Sequence, residues 1–161
     1  MNTTLVVVAD GARARFLTMA AAQQPEYESG PNLVEVAVLV NPEQEMTGDE
    51  LFSNLKSGRN RSGNGQAHGY DDHRDSHRDE TERRFAKEVI ATATQKLGGK
   101  GCLTLVADKR MLGFLREVGN GGLHGIEVHE VARDLSKLPA TELQQYLAGE
   151  GLIPPRKRPK S

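Results

Sequence analysis

The sequence predicts an α/β domain, a single mixed five-stranded sheet with flanking helices in the order β-β-β-α-β-α-β-α. Three observations predict it. Apolar, β-branched runs recur at Leu5–Ala9, Leu33–Val40 and Cys102–Ala107. The later runs are separated by amphipathic stretches, the arrangement that feeds parallel strands through helical crossovers. The first run is instead joined to the segment after it, Ala12 to Leu17, by the turn pair Asp10-Gly11, so the sheet opens antiparallel. A chain of 161 residues buries ~68–70% of its unfolded surface as one domain and needs no staples to fold.

Leu5-Val6-Val7-Val8-Ala9 reads as a buried strand and Asp10-Gly11 as the turn that ends it. Ala12 to Leu17 alternates small or apolar with basic residues, as a half-exposed second strand does, and a polar connector follows from Ala20 to Pro31. Leu33–Val40 is the third strand, closed by Asn41-Pro42. From about 42 to 76 no period holds, and Gly58, Gly63, Gly65 and Gly69 lie among Asn, Ser, Arg, His and Asp. A loop this long inside a domain is usually functional or disordered. Ser76 then caps a helix to Leu97 whose apolar face is Phe85, Ala86, Val89, Ile90, Ala93 and Leu97. Gly98-Gly99 ends it. After the strand Cys102–Ala107, Asp108 caps a helix through Met111, Leu112, Leu115 and Val118. Ile126–Val131 alternates as the last strand, and Thr141 to Ala148 is a short closing helix. The domain is expected to span 1–153, with 154–161 as a basic, mobile tail.

Lys+Arg 21 against Asp+Glu 22 gives a net charge of -1, so no whole-molecule field draws the chain to nucleic acid or membrane. One cysteine, Cys102, leaves no internal disulfide and no cysteine-built metal site. No apolar run approaches the ~20 residues that span a bilayer. The N-terminus has no basic n-region, and a cytoplasmic location is expected.

The run Val7-Val8-Ala9-Asp10-Gly11-Ala12-Arg13-Ala14-Arg15 resembles the start of the bacterial family named "protein required for attachment to host cells". Arg84-Phe85-Ala86-Lys87, the run from Leu105 to Arg116, and Val131-Ala132-Arg133-Asp134-Leu135 continue the resemblance in order. That family is similar in turn to the middle domain of archaeal and eukaryotic peptide chain release factors. The order of elements itself resembles the ribonuclease H-like layout, in which the first and fourth strands are neighbours. The release-factor similarity implies a Gly-Gly-Gln loop before the long helix, and Gly63-Asn64-Gly65-Gln66 stands in that place with Asn64 for the first glycine. Translation-associated binding of RNA or the ribosome is the role implied, although 161 residues leave no room for a codon-reading domain. The family's name implies a role in attachment, direct or indirect.

Candidate residues fall into four sets. Gln66 is a candidate catalytic residue, with its amide and side chain orienting water against an ester carbonyl. Asp10 and Asp108, both at carboxyl ends of apolar strands, would hold a divalent metal for phosphodiester cleavage with Glu82 or Glu88 from the long helix. Their plainer roles are a turn opener and a helix cap. His68, Asp71, Asp72, His73, Asp75, His77 and Asp79 form a ligand-rich cluster. Of these, Asp72, His73 and His77 are the weak metal candidates, and His73 and His77 share a helical face if the helix starts early. The RNA-binding candidates are Arg13, Arg15, Arg59, Arg61, Arg156, Lys157 and Arg158, local clusters within a neutral total. Cys102 reads as a core residue and His129 as an outward strand residue. No triad or closed ligand set converges in the sequence. The expectation is therefore a non-enzymatic RNA- or ribosome-associated protein without a cofactor, apart from a possible divalent metal. A metal-dependent nuclease and an attachment-related protein-binding module are the alternatives.

Overall fold

The computed structural model describes residues 3–42, 67–120 and 122–159, with the course of the chain alone over 67–75. The elements are β1 (Thr4–Ala9), β2 (Arg13–Ala20), β3 (Asn32–Val40), α1 (Ala67–Leu97), β4 (Gly101–Ala107), α2 (Lys109–Gly119), β5 (Ile126–Ala132) and α3 (Ala140–Gly149). They form the expected α/β domain, with five strands in one sheet ordered β3-β2-β1-β4-β5. β1 pairs antiparallel with β2 and β2 with β3. β1 and β4, then β4 and β5, pair in parallel. Arg13 therefore lies opposite Val40, and Ala20 opposite Asn32 at the far end of the sheet.

Apolar side chains leave the central strands on both faces, so the sheet needs cover on both. Leu5, Val7, Phe16, Leu103 and Leu105 point to one side and pack on Phe85, Val89, Ala93, Met111 and Leu115 of α1 and α2. Val6, Val8, Leu17 and Val106 point to the other side and pack on Leu143 and Leu147 of α3. A register shift in the β2–β3 pairing follows Phe16. Val34, Val36, Val38 and Val40 of the edge strand stay exposed.

The long helix begins at Ala67, not Ser76, so the unpatterned stretch is shorter than its composition suggests. At 31 residues α1 is about 46 Å long. Among its described side chains, 76–97, the buried face starts at Thr81 and Glu82. The preceding turns carry no apolar stripe, and helical pairs such as Arg78–Glu82 and Glu80–Arg84 form there in its place. A period of apolar residues is blind to such a segment.

The tail is tied down further than expected. Ile153 is buried in the α3-side core. Gly30 and Lys157 exchange two backbone hydrogen bonds, each of 3.0 Å. The Gln144 amide, itself buried, joins the same region: its oxygen accepts from the Leu33 N–H at 3.1 Å, and its nitrogen donates to the carbonyls of Pro31 and Pro154 at 2.8 and 3.2 Å. Residues 154–157 are thus docked backbone with exposed side chains, a correction to the mobile tail predicted from 154.

Candidate functional site

At the carboxyl ends of β1 and β4 the chain turns away in opposite directions, β1 into a hairpin and β4 into α2. The crevice outside such a strand pair is the usual binding position in open α/β sheets. Here it is a recess of about 220 Å³ lined by Asp10, Gly11, Ala12, Arg78, Glu82, Asp108, Arg110 and Met111.

Each lining group is held by its local structure. Asp10 Oδ1 accepts from the N–H groups of Ala12 and Arg13, both at 2.8 Å, which closes the β1–β2 turn. Asp108 Oδ1 accepts from the Met111 N–H at 2.8 Å and so caps α2. Between them Glu82 projects from α1 with only 3% of its surface exposed. Burying a carboxylate is costly unless it is paired and hydrogen-bonded. Glu82 is paired twice: Oε1 accepts from Arg78 Nε at 3.2 Å and Oε2 from Arg110 Nε at 3.0 Å. Arg110 also pairs with Asp79, and its guanidinium lies over the Phe114 ring, which Arg83 approaches at 5.1 Å. Gly11 makes room for this arrangement, because a Cβ there would lie 2.3 Å from Glu82 Oε1.

A larger recess of about 300 Å³ opens between α2 and β5. Leu105, Leu115, Leu123 and Val128 are in its wall, with His124, and the Arg116–Glu130 pair borders it. Its ionisable groups are fewer, so the smaller recess is the stronger candidate.

The structure brings Asp10, Asp108 and Glu82 around one recess, as neighbouring first and fourth strands lead one to expect. It does not assemble them as a ligand set. Among the described residues, no trio of these carboxylates has its oxygens within 4.8 Å of one another. Glu82 has committed both oxygens to arginines, and Glu88 is exposed on α1 and does not line the recess. The turn-opening role of Asp10 and the capping role of Asp108 are both realised.

The basic candidates do not converge. Arg15 is an internal brace: it pairs with Glu35 and donates to the carbonyls of Ser136 and Leu138 at 3.2 and 2.7 Å. That corrects its assignment to an RNA-contacting face. Arg13 stands at the recess end of the sheet, whereas Arg156, Lys157 and Arg158 lie by Gly30 at the opposite end. Gln66, Arg59 and Arg61 lie outside the described residues. The early start of α1 does put positions 72, 73 and 77 on one helix, with 73 and 77 one turn apart; the side chains of Asp72 and His73 are likewise outside the description. Sequence reasoning missed Arg78, Arg110 and the part played by Gly11. The i,i+4 pair Arg78–Glu82 was a visible signal, but nothing local announced that Glu82 would be buried.

No helix among the described residues is long and apolar enough to cross a membrane. No curated protein matches the chain by sequence. The family model described as "Protein required for attachment to host cells" matches residues 5–147, nearly the whole length of the fold, and the chain belongs to that family.

Proposed function

We propose that this host attachment family protein is a non-enzymatic binding module that engages RNA or a ribosomal surface through the recess at the ends of β1 and β4. The observation that carries the reading is the clamp on Glu82. One buried carboxylate holds Arg78 and Arg110 by their Nε atoms at the mouth of the recess. Among the described residues Arg78 gives only its Nε to Glu82, and its side chain is 54% exposed. Its terminal nitrogens are left for an outside acceptor. Guanidinium groups fixed in this way lose little freedom on meeting a phosphate, which they match in geometry. The recess has room for one such group.

The phosphodiesterase reading has less support, on the chemistry of the donors. A nuclease of that kind needs carboxylate oxygens aimed at a shared cation. Asp10 and Asp108 each spend one oxygen on their own turn or helix, and Glu82 spends both on arginines.

Co-sedimentation with ribosomes, and filter binding of structured RNA across a salt series, test the proposal. The expected result is binding at moderate salt that weakens as salt rises. Arg78→Gln then lowers affinity and reduces the salt slope by about 0.7–0.9 for the lost phosphate contact. Protein that stays free of ribosomes and RNA at moderate salt overturns the reading.

A further inference from the structure

We propose that Cys102, Glu127 and His129 form a binding site for one divalent cation of the zinc class, on the opposite face of the sheet from α1 and α2. In the parallel β4–β5 pair Cys102 lies directly across from Glu127, and Thr104 across from His129. The two-residue period of a strand puts all four side chains on the same face. That face is the α3 side, because Val106 continues the β4 row into the α3-side core and Val131 packs against the same core. The thiol sulfur, a carboxylate oxygen and an imidazole nitrogen all lie within 4.8 Å of one another. The His129 Nε2 to Glu127 Oε2 distance is 3.6 Å.

These separations suit a metal. With bond lengths of ~2.0–2.3 Å, donors in a tetrahedral zinc site stand about 3.3–3.8 Å apart. The imidazole–carboxylate pair is already at that spacing, and the sulfur, within 4.8 Å of both, has to close by no more than about 1–1.5 Å. One sulfur, one nitrogen and one oxygen donor select a borderline-soft ion over calcium or magnesium, which take oxygen ligands throughout. Three protein donors leave a fourth position open.

A second observation points the same way. Thr104 is fully buried, and its Oγ1 faces the Cys102 thiol without making a full hydrogen bond to any described residue. A buried hydroxyl without a partner is costly. Thr104 sits in the same β4 row as Cys102, opposite His129. A coordinated thiolate, or a water in the open position, gives it the acceptor or donor it lacks. The site was illegible in the sequence because the three ligands come from two strands whose register only the fold supplies.

Cobalt titration of the purified, chelator-treated full chain tests this. The expected result is one equivalent bound with the visible absorption of tetrahedral, thiolate-ligated cobalt, displaced by zinc. Cys102→Ser and His129→Ala each abolish that spectrum and weaken zinc binding by at least about 10–100-fold. A His73→Ala/His77→Ala variant retains the spectrum, which separates this site from the helix histidines. Zinc also protects Cys102 of the unaltered protein from alkylation by iodoacetamide, a readout that needs no variant to fold. Absence of the thiolate–cobalt spectrum, unchanged zinc affinity in Cys102→Ser, or alkylation indifferent to zinc overturns the proposal.

Discussion

Gly11→Ala probes the packing on which the recess is built. The backbone of Gly11 is not in the left-handed region, so alanine brings no conformational strain. On chain entropy alone the substitution would stabilise the protein by ~0.4–1 kcal/mol. The added Cβ, however, would sit 2.3 Å from Glu82 Oε1 and 3.0 Å from Cδ. The end of a glutamate side chain normally swings away at little cost. This one is buried and held on both oxygens, and moving it parts it from Arg78 or Arg110. Overpacking costs ~1–3 kcal/mol, and a hydrogen bond to a charged group is worth ~1.5–3 kcal/mol. The steric and electrostatic costs outweigh the entropic gain, for a net loss of about 2 kcal/mol. In a protein of this size that lowers Tm by roughly 4–8 °C. Calorimetric melts of Gly11→Ala, Glu82→Ala and the double variant form the assay. Once Glu82 is truncated there is nothing for the new methyl to strike, so Gly11→Ala becomes nearly neutral and the coupling energy is about 2 kcal/mol. A Gly11→Ala protein that melts with the wild type, or one that loses as much stability in the Glu82→Ala background, refutes the reasoning.

Asp108→Ala removes the α2 cap and is expected to cost about 1 kcal/mol in urea unfolding, with no change in slope. Gln144→Leu leaves the Leu33 N–H and the Pro31 carbonyl without their partner; at ~1–3 kcal/mol per orphaned group it is more damaging than the cap mutation, measured in the same way. The Ser136 hydroxyl, followed by the Ser136 backbone N–H, holds the Asp134 carboxyl below its ordinary value. A carboxyl lowered in the folded state stabilises above its unfolded pKa of ~3.9, and that contribution is lost as pH falls through the lowered value. Asp134→Asn therefore lowers stability slightly near neutral pH and converges with the wild type below the lowered pKa, which flattens the acid limb of the stability–pH curve, as chemical denaturation at stepped pH will show.

The strands were legible because burial on both faces leaves an unambiguous mark. Val6, Val7 and Val8 are apolar in succession and all are buried, and Leu103, Leu105 and Val106 repeat the pattern. The apolar face of α1 was legible from Phe85 onward for the same reason. The turns before it were not, since the sequence there carries no hydrophobic period and the charge pairs at 78–84 leave none to read. Asp10 and Asp108 were readable as turn and cap from their neighbours alone. Glu82 was not: its burial depends on a glycine 71 positions earlier and an arginine 28 positions later, a juxtaposition made by the β1–β4 pairing. Arg15 misled for a related reason. Alternation along β2 marked it as outward, but the segment entering α3 folds back across it and takes its guanidinium.

The Gln144 amide has a consequence for how this fold opens. It fastens the entrance to β3, the third helix and the final residues with a single planar group, and the Gly30–Lys157 bonds close the same seam. None of those strips can peel away while the others stay zipped. Deuterium uptake at the amides of Gly30, Leu33 and Lys157 should therefore proceed at one shared rate, as a single cooperative unit in which residues 154–157 lock the entrance to β3.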